Sequence, residues 1–280
     1  MTKMLKLGLI GDNIERSHSP LLHRLAGEQC GVEVSYDRLV PKDLARSFSQ
    51  ILADCPGQGF RGINITYPYK EIGANKVRVD DPLVGAIGAV NTVVFDGEPI
   101  GHNTDYSGFI STYRKILGDA PTGPVLMIGT GGVGRAVAFA LAGLGTKDLR
   151  LVDRDITKAE SLARALQAVA PDMDISIWIN VQKASRGAKG LINCTPIGML
   201  GKSGTPLGAA EMEGAEWAFD AVYTPSDTQF LADATVAGLT TLSGWELFFF
   251  QGVHAWSLFS GMKLDEDRLH EALLNRDTNA

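Results

Sequence analysis

Cysteine is scarce in this chain: Cys30, Cys55 and Cys194 are the only three in 280 residues. Odd in number and widely spaced, they form neither a disulfide framework nor a Cys-x-x-Cys metal pair, which suits a reducing cytoplasm. Positive charge is in deficit as well, with 26 Lys and Arg against 32 Asp and Glu and a net charge of −6. This excludes generic nucleic-acid binding, which needs clustered basic residues, but not a small anionic ligand held by a few donors. Long apolar runs are missing too. The greasiest window, Trp245 to Phe259, is too short for a bilayer and holds Glu246, Gln251 and His254, so no membrane role is expected. The strand-like run at residues 5–10 is not preceded by the apolar segment and cleavage site of a signal peptide. Histidines at ligand spacing are absent: His18 and His23 do not share a helix face, and His102, His254 and His270 lack acidic or Cys partners, so no metal is expected. What remains is ordinary globular material, 45% hydrophobic and 21% charged, enough for one large or two modest domains.

The first hundred residues alternate strand and helix signals. Strands are predicted at 5–10, 34–40, 62–66 and 90–95, and helices at 20–30 and 43–53. An amphipathic pattern at 105–117 leads to a Gly- and Pro-rich linker at 118–124. A second series follows, with strands at 125–128, 149–152, 175–179, 191–193 and 217–221 and helices at 133–144 and 157–169. Apolar strands separated by helices imply a parallel sheet covered on both faces. The tail returns to helix at 245–262 and 266–274.

Gly129-Thr130-Gly131-Gly132-Val133-Gly134 satisfies Gly-x-Gly-x-x-Gly directly between a strand and a helix. Such a loop gives a tight turn, close backbone approach to a pyrophosphate, and close packing of helix on strand, with helix-end N–H groups facing the phosphates. About 20 residues on, at the end of the next strand, stand Asp153-Arg154-Asp155. An acid here accepts from ribose hydroxyls, whereas the 2′-phosphate of NADP would meet two carboxylates. Arg154 favours that phosphate, but two acids outweigh one base, so NAD is expected, with NADP as the alternative. Asp155 has a second reading as the cap of the next helix.

The N-terminal half carries Ser17-x-Ser19-Pro20, Asn64-x-Thr66-x-Pro68-x-Lys70, Gly88-Ala89-Val90-Asn91-Thr92 and Asn103-Thr104-Asp105. With Gly129-x-Gly131-Gly132, Asn193-x-Thr195-Pro196, Tyr223-x-Pro225 and Gln251, these motifs run collinear over nearly the whole chain. In this the sequence resembles the shikimate dehydrogenase family, which includes the quinate/shikimate dehydrogenases. The acids at 153 and 155 are similar to its NAD-using branch.

The resemblance implies an α/β protein of two domains. Residues 1–105 with 242–280 form the substrate domain, and 106–241 a Rossmann dinucleotide domain. It implies that Ser17 and Ser19 hold a substrate carboxylate, and that Asn64, Thr66, Asn91, Asp105 and Gln251 bond ring hydroxyls, with Tyr223 nearby. Lys70 and Asp105 are the implied catalytic pair, and Thr195, Ala221 and Gly244 lie along the cofactor beside Gly129 to Gly134 and Asp153 to Asp155. The chemistry agrees: oxidising a secondary alcohol needs hydride departure and a base such as Lys70 for the hydroxyl proton. The expected activity is NAD-linked oxidation of shikimate, and of quinate, by a cytoplasmic monomer or homodimer. The alternatives are a dehydrogenase for an aminoshikimate and a non-catalytic metabolite sensor.

Overall fold

The computed structural model describes residues 4–277. The chain divides into two compact units, one comprising residues up to Thr104 and from Gln251 onward, the other Asp105–Phe250.

In the first unit, β1 (Leu5–Ile10), α1 (Ser19–Cys30), β2 (Val34–Leu39), α2 (Phe48–Asp54) and β3 (Gly62–Ile65) follow in order. Then come α3 (Lys70–Ala74), α4 (Pro82–Ile87), β4 (Thr92–Asp96) and β5 (Glu98–His102). The strands form one sheet in the order β2-β1-β3-β4-β5. β1 pairs parallel to β2 and β3, while β4 runs antiparallel to both β3 and β5. Ile10, Ile63, Ile65, Val90 and Val93 pack with Phe48 and Ile51 of α2 into one core cluster. Each such side chain taken from water contributes about 1.5–3 kcal/mol.

The expected helix at 43–53 starts later than its periodicity suggests. Ala45 takes a left-handed φ of 49°, which breaks the preceding turn. Ser47 then caps the helix: its Oγ accepts from the Gln50 N–H at 3.3 Å while Gln50 Oε1 accepts from the Ser47 N–H at 2.9 Å. β5 has no counterpart among the predicted strands, and it carries Pro99, a residue unfavourable inside a sheet. It lies at the sheet edge, where a missing N–H is tolerated.

The second unit begins within α5 (Thr104–Leu117) and continues through β6 (Val125–Ile128), α6 (Gly132–Gly143), β7 (Asp148–Val152), α7 (Ile156–Val169) and β8 (Asp174–Trp178). α8 (Val181–Ser185), β9 (Gly190–Asn193), β10 (Trp217–Asp220), α9 (Gln229–Val236) and β11 (Thr240–Ser243) follow, and α10 (Gly244–Ser260) leads back to the first unit. Its six strands are all parallel, in the order β11-β10-β9-β6-β7-β8. Counted from β6, this is the doubly wound Rossmann order, with a switch point between β6 and β9. Residues 118–124 connect α5 to β6 inside this unit. The last helix, α11 (Glu266–Asp277), packs on α1 in the first unit. Among the described residues no helix is long and apolar enough to cross a membrane, and no group of His, Cys, Asp and Glu could hold a metal ion.

Candidate functional site

Topology gathers the polar residues of the first unit at one end of its sheet. β1 and β3 run parallel and β4 antiparallel, so the end of β3 meets the start of β4 and the end of β5. The register pairs Asn64 with Thr92, and Thr92 with His102. Asn91 thereby reaches the chain entering α5: its Oδ1 accepts from the Thr104 N–H at 2.7 Å, and its Nδ2 donates to Thr104 Oγ1 at 2.9 Å. Asn91 Nδ2 also reaches Gln251 Oε1 at 3.4 Å. Asn64 Nδ2 donates to Thr92 Oγ1 at 3.1 Å, and the Tyr36 hydroxyl donates to Asn64 Oδ1 at 2.9 Å. Asn64, Asn91, Thr92 and Thr104 are all buried, so this network is a fixed part of the fold.

Ser17 and Ser19 follow β1, at the mouth of α1. Both are buried, their hydroxyls lie 3.1 Å apart, and Ser17 Oγ accepts from the Ser19 N–H at 3.3 Å. Arg38 donates to the Ser17 carbonyl at 2.8 Å and adds positive charge beside the pair. Two hydroxyls, helix-end N–H groups and a nearby guanidinium suit a carboxylate.

Thr66 leaves β3, its N–H bonded to the Ile10 carbonyl at 2.9 Å. Lys70 opens α3 after a turn pinned by Tyr69, whose hydroxyl donates to Asp12 Oδ1 at 2.7 Å and whose ring stacks on Phe48 at 4.8 Å. Desolvation and the bond to Asp12 push the Tyr69 phenol up to about 12, so it stays a neutral donor. The Lys70 carbonyl accepts from the Val90 N–H at 3.0 Å, which ties the turn to the segment before Asn91.

In the second unit the glycine loop leaves β6. Gly129 has φ of 96°, and a Cβ there would stand 2.7 Å from the Cys194 backbone. A methyl on Gly134 would collide with the Gly129 carbonyl. Gly131 is the N-cap of α6, and Gly132 and Val133 form its first turn. The loop is fastened to β7 through Thr130, whose N–H and hydroxyl both donate to Asp153 Oδ2 at 2.7 Å. Asp153 Oδ1 accepts from the Asp155 N–H at 2.9 Å. The carboxylate is therefore held in one orientation by the protein's own donors. Asp155 caps α7, accepting from the Thr157 N–H at 3.1 Å and hydroxyl at 2.6 Å, bonds that hold its carboxyl below the usual range. Arg154 is exposed.

Thr195, Ala221 and Gly244 collect at the same end of this sheet through a buried chain of bonds. Asn193 Oδ1 accepts from the Thr195 N–H at 2.9 Å and hydroxyl at 2.7 Å, and its Nδ2 donates to Asp220 Oδ1 at 2.9 Å. The Ala221 N–H donates to the Asn193 carbonyl at 2.8 Å. A Cβ on Gly244 would meet the Val222 carbonyl at 2.6 Å and that of Ala221 at 2.8 Å. Tyr223 stacks on Phe248 at 5.1 Å and 10°. Phe248 belongs to the bulky run at 247–250, buried on α10.

These features fit an extended dinucleotide: a loop stripped of side chains before a helix start, then an aimed carboxylate about one strand away, and small residues at neighbouring strand ends. Asp105 sits buried in the first turn of α5. It belongs to the second unit and Lys70 to the first. The sequence gives no signal that Tyr36 and His23 hold Asn64, or that Asp220 ties the end of β9 to the segment 221–228. A lone Tyr on a strand and a lone His on an apolar helix face give no local signal of such partners.

Comparison with known proteins places the chain in sequence and in fold. Residues 9–93 match the shikimate dehydrogenase substrate binding domain. A quinate/shikimate dehydrogenase (NAD(+)) of Corynebacterium efficiens is 36% identical over 276 residues, spanning 96% of this chain and 97% of that protein. The structure of a quinate dehydrogenase from Corynebacterium glutamicum in complex with NAD superposes with a TM-score of 0.89 at 32% identity, covering 98% of this chain and 100% of that one. A shikimate 5-dehydrogenase from Thermus thermophilus, in complex with NADP(H) and shikimate, gives a TM-score of 0.84 at 33% identity, over 97% of this chain and 99% of that one. Likeness of this order along nearly the full length, in sequence as well as in fold, means that the chain belongs to the shikimate dehydrogenase family.

Proposed function

We propose that this protein is an NAD(P)-dependent dehydrogenase that reversibly oxidises shikimate, and also quinate, to 3-dehydroshikimate and 3-dehydroquinate, with NAD as the preferred cofactor. The observation that carries the reading is the gathering of Ser17, Ser19, Asn64, Asn91 and Gln251 at one end of the first sheet, in a chain alike throughout to quinate/shikimate dehydrogenases. A ring bearing a carboxylate and several hydroxyls needs such a set of donors and acceptors.

In this reading Ser17 and Ser19 bind the carboxylate, while Asn64, Thr66, Asn91, Gln251 and Tyr223 engage the ring. Lys70 Nζ takes the proton of the reacting hydroxyl and returns it in the reverse direction. Asp105 is the other member of the catalytic pair: its carboxylate, an acceptor only, takes a hydrogen bond from a neighbouring ring hydroxyl and so orients the ring, leaving the reacting proton to Lys70. Gly129 to Gly134 hold the cofactor's phosphates, with Thr195, Ala221 and Gly244 beside its other end. The nicotinamide, when bound, supplies the hydride acceptor. The preference for NAD is supported by Asp153, whose carboxylate is held by Thr130 in position to accept from ribose hydroxyls and to repel a 2′-phosphate. Cytoplasmic residence fits Cys30, Cys55 and Cys194, which are not joined in disulfides among the described residues.

Initial rates of nicotinamide reduction, with shikimate or quinate and with each oxidised cofactor, test the reading. It predicts turnover with shikimate and a higher kcat/KM for NAD than for NADP. Absence of turnover with every combination refutes it.

A further inference from the structure

Asn64 has an acceptor that is already taken. Its side chain is 5% exposed, and Oδ1 accepts from the Tyr36 hydroxyl on β2 at 2.9 Å and from the His23 imidazole on α1. An amide oxygen has two lone pairs, so both are used. On the nitrogen side one proton goes to Thr92 Oγ1 at 3.1 Å. Among the described residues the other has only the Asn91 carbonyl at 3.4 Å, which already accepts from the Ile65 N–H at 2.8 Å. That second proton is the one a ligand can claim.

The surroundings prevent the amide from turning over. His23 is 1% exposed, stacks on Tyr36 at 5.1 Å and 12°, and is flanked by Trp256 and Phe259. Burial keeps its imidazole neutral, with the pKa pushed down to about 3. Among the described residues its Nδ1 has no hydrogen-bond partner, so the single ring proton belongs on the nitrogen that faces Asn64. A flipped amide would set its NH2 group against that N–H and leave a buried donor unpaired, at a cost of about 1–3 kcal/mol.

We propose that Tyr36, with His23 behind it, is a positioning residue that locks the Asn64 amide so that it offers a ligand only an N–H. The subsite then selects a hydrogen-bond acceptor, a neutral ring hydroxyl or carbonyl, and rejects an ammonium in its place. The proposal rests on Asn64 being a substrate contact, as the functional reading has it.

The test is steady-state kinetics on the full-length wild type, Tyr36→Phe and Asn64→Asp, using shikimate and analogues in which an amine replaces one ring hydroxyl at a time. In Tyr36→Phe the KM for shikimate should rise about tenfold, with the KM for NAD unchanged, and discrimination against one of the amines should narrow. Asn64→Asp, an acceptor of the same shape, should lose shikimate and gain that amine. A shikimate KM that does not move in Tyr36→Phe, or an NAD KM that rises in step with it, overturns the proposal; so does an Asn64→Asp protein that keeps the wild-type preference. Should Tyr36→Phe fail to fold, the Asn64→Asp preference decides alone. A wild type inactive on both shikimate and quinate refutes the functional reading itself, and the proposal with it, so the two failures are told apart.

Discussion

Replacing Asp153 by Asn keeps the side chain's shape and removes its charge, which isolates the electrostatic part of cofactor choice. The carboxylate accepts at 2.7 Å from both the Thr130 N–H and hydroxyl, and at 2.9 Å from the Asp155 N–H, so it cannot swing far from an incoming phosphate. A 2′-phosphate carrying about two negative charges at about 5 Å from it is repelled by about 1.7 kcal/mol even with water-like screening, and by more in a drier site. Removing that repulsion multiplies kcat/KM for NADP by about 15. For NAD the change is a loss, because an amide offers the ribose one acceptor where the carboxylate offers two. The ratio of NADP to NAD efficiency should therefore rise at least 15-fold or so in Asp153→Asn. Initial rates with each cofactor varied at saturating shikimate measure it, and added salt should weaken the wild-type discrimination, since this part of it is screened. A ratio that shifts less than about threefold would refute the assignment of Asp153 to the ribose and the preference built on it.

Lys70→Ala should lower turnover by about 10²–10⁴ while cofactor binding, measured by fluorescence titration, stays at the wild-type value; wild-type turnover removes Lys70 from the mechanism. Gly134→Ala drives a methyl into the Gly129 carbonyl, backbone that cannot yield, so about 1–3 kcal/mol of stability and most NAD affinity should be lost. An unchanged melting temperature contradicts that packing argument. Asp220 tests pH linkage. Burial pushes its carboxyl from 3.8 up to about 6, against the pull of bonds from Thr228, Val222 and Asn193. The folded chain then holds the extra proton between about pH 4 and 6, so this group's contribution to stability falls as pH rises through that window, by up to about 3 kcal/mol. His23 acts in the opposite sense: with its pKa lowered from 6.5 to about 3, its contribution is lost as pH falls through that range. Urea unfolding of Asp220→Asn across pH 4 to about 7 should show a steeper rise of stability with pH than the wild type; parallel curves would contradict the burial argument.

The strands and the glycine loop were legible because they obey local rules. Residues 125–128 are a short apolar run ending in a loop that only glycines can form, and the fully buried β6 is what such a run becomes in a parallel sheet. The polar motifs marked the ends of strands, yet the reason Asn64 and Asn91 meet lies in the antiparallel turn of β4, which no local pattern announces. The start of α2 was misplaced for a comparable reason: helical periodicity extends back to residue 43, but the capping pair Ser47 and Gln50 decides where hydrogen bonding begins. Asp155 shows an ambiguity that sequence left open, ribose contact or helix cap; its side chain does the second in this structure. Tyr36, His23 and Asp220 were illegible because their importance lies in partners 27 to 41 residues away or in buried bonds across loops. Only the folded chain brings those groups together.

The most direct measurement is product analysis. The wild-type protein, in catalytic amount, is incubated with shikimate and NAD, and the mixture is resolved by mass spectrometry while reduced nicotinamide is followed by absorbance. A product lacking two hydrogens, formed one for one with NADH and consumed again when NADH is supplied in excess, is the predicted result. Shikimate recovered unchanged, or NADH formed without that ketone, would contradict the account.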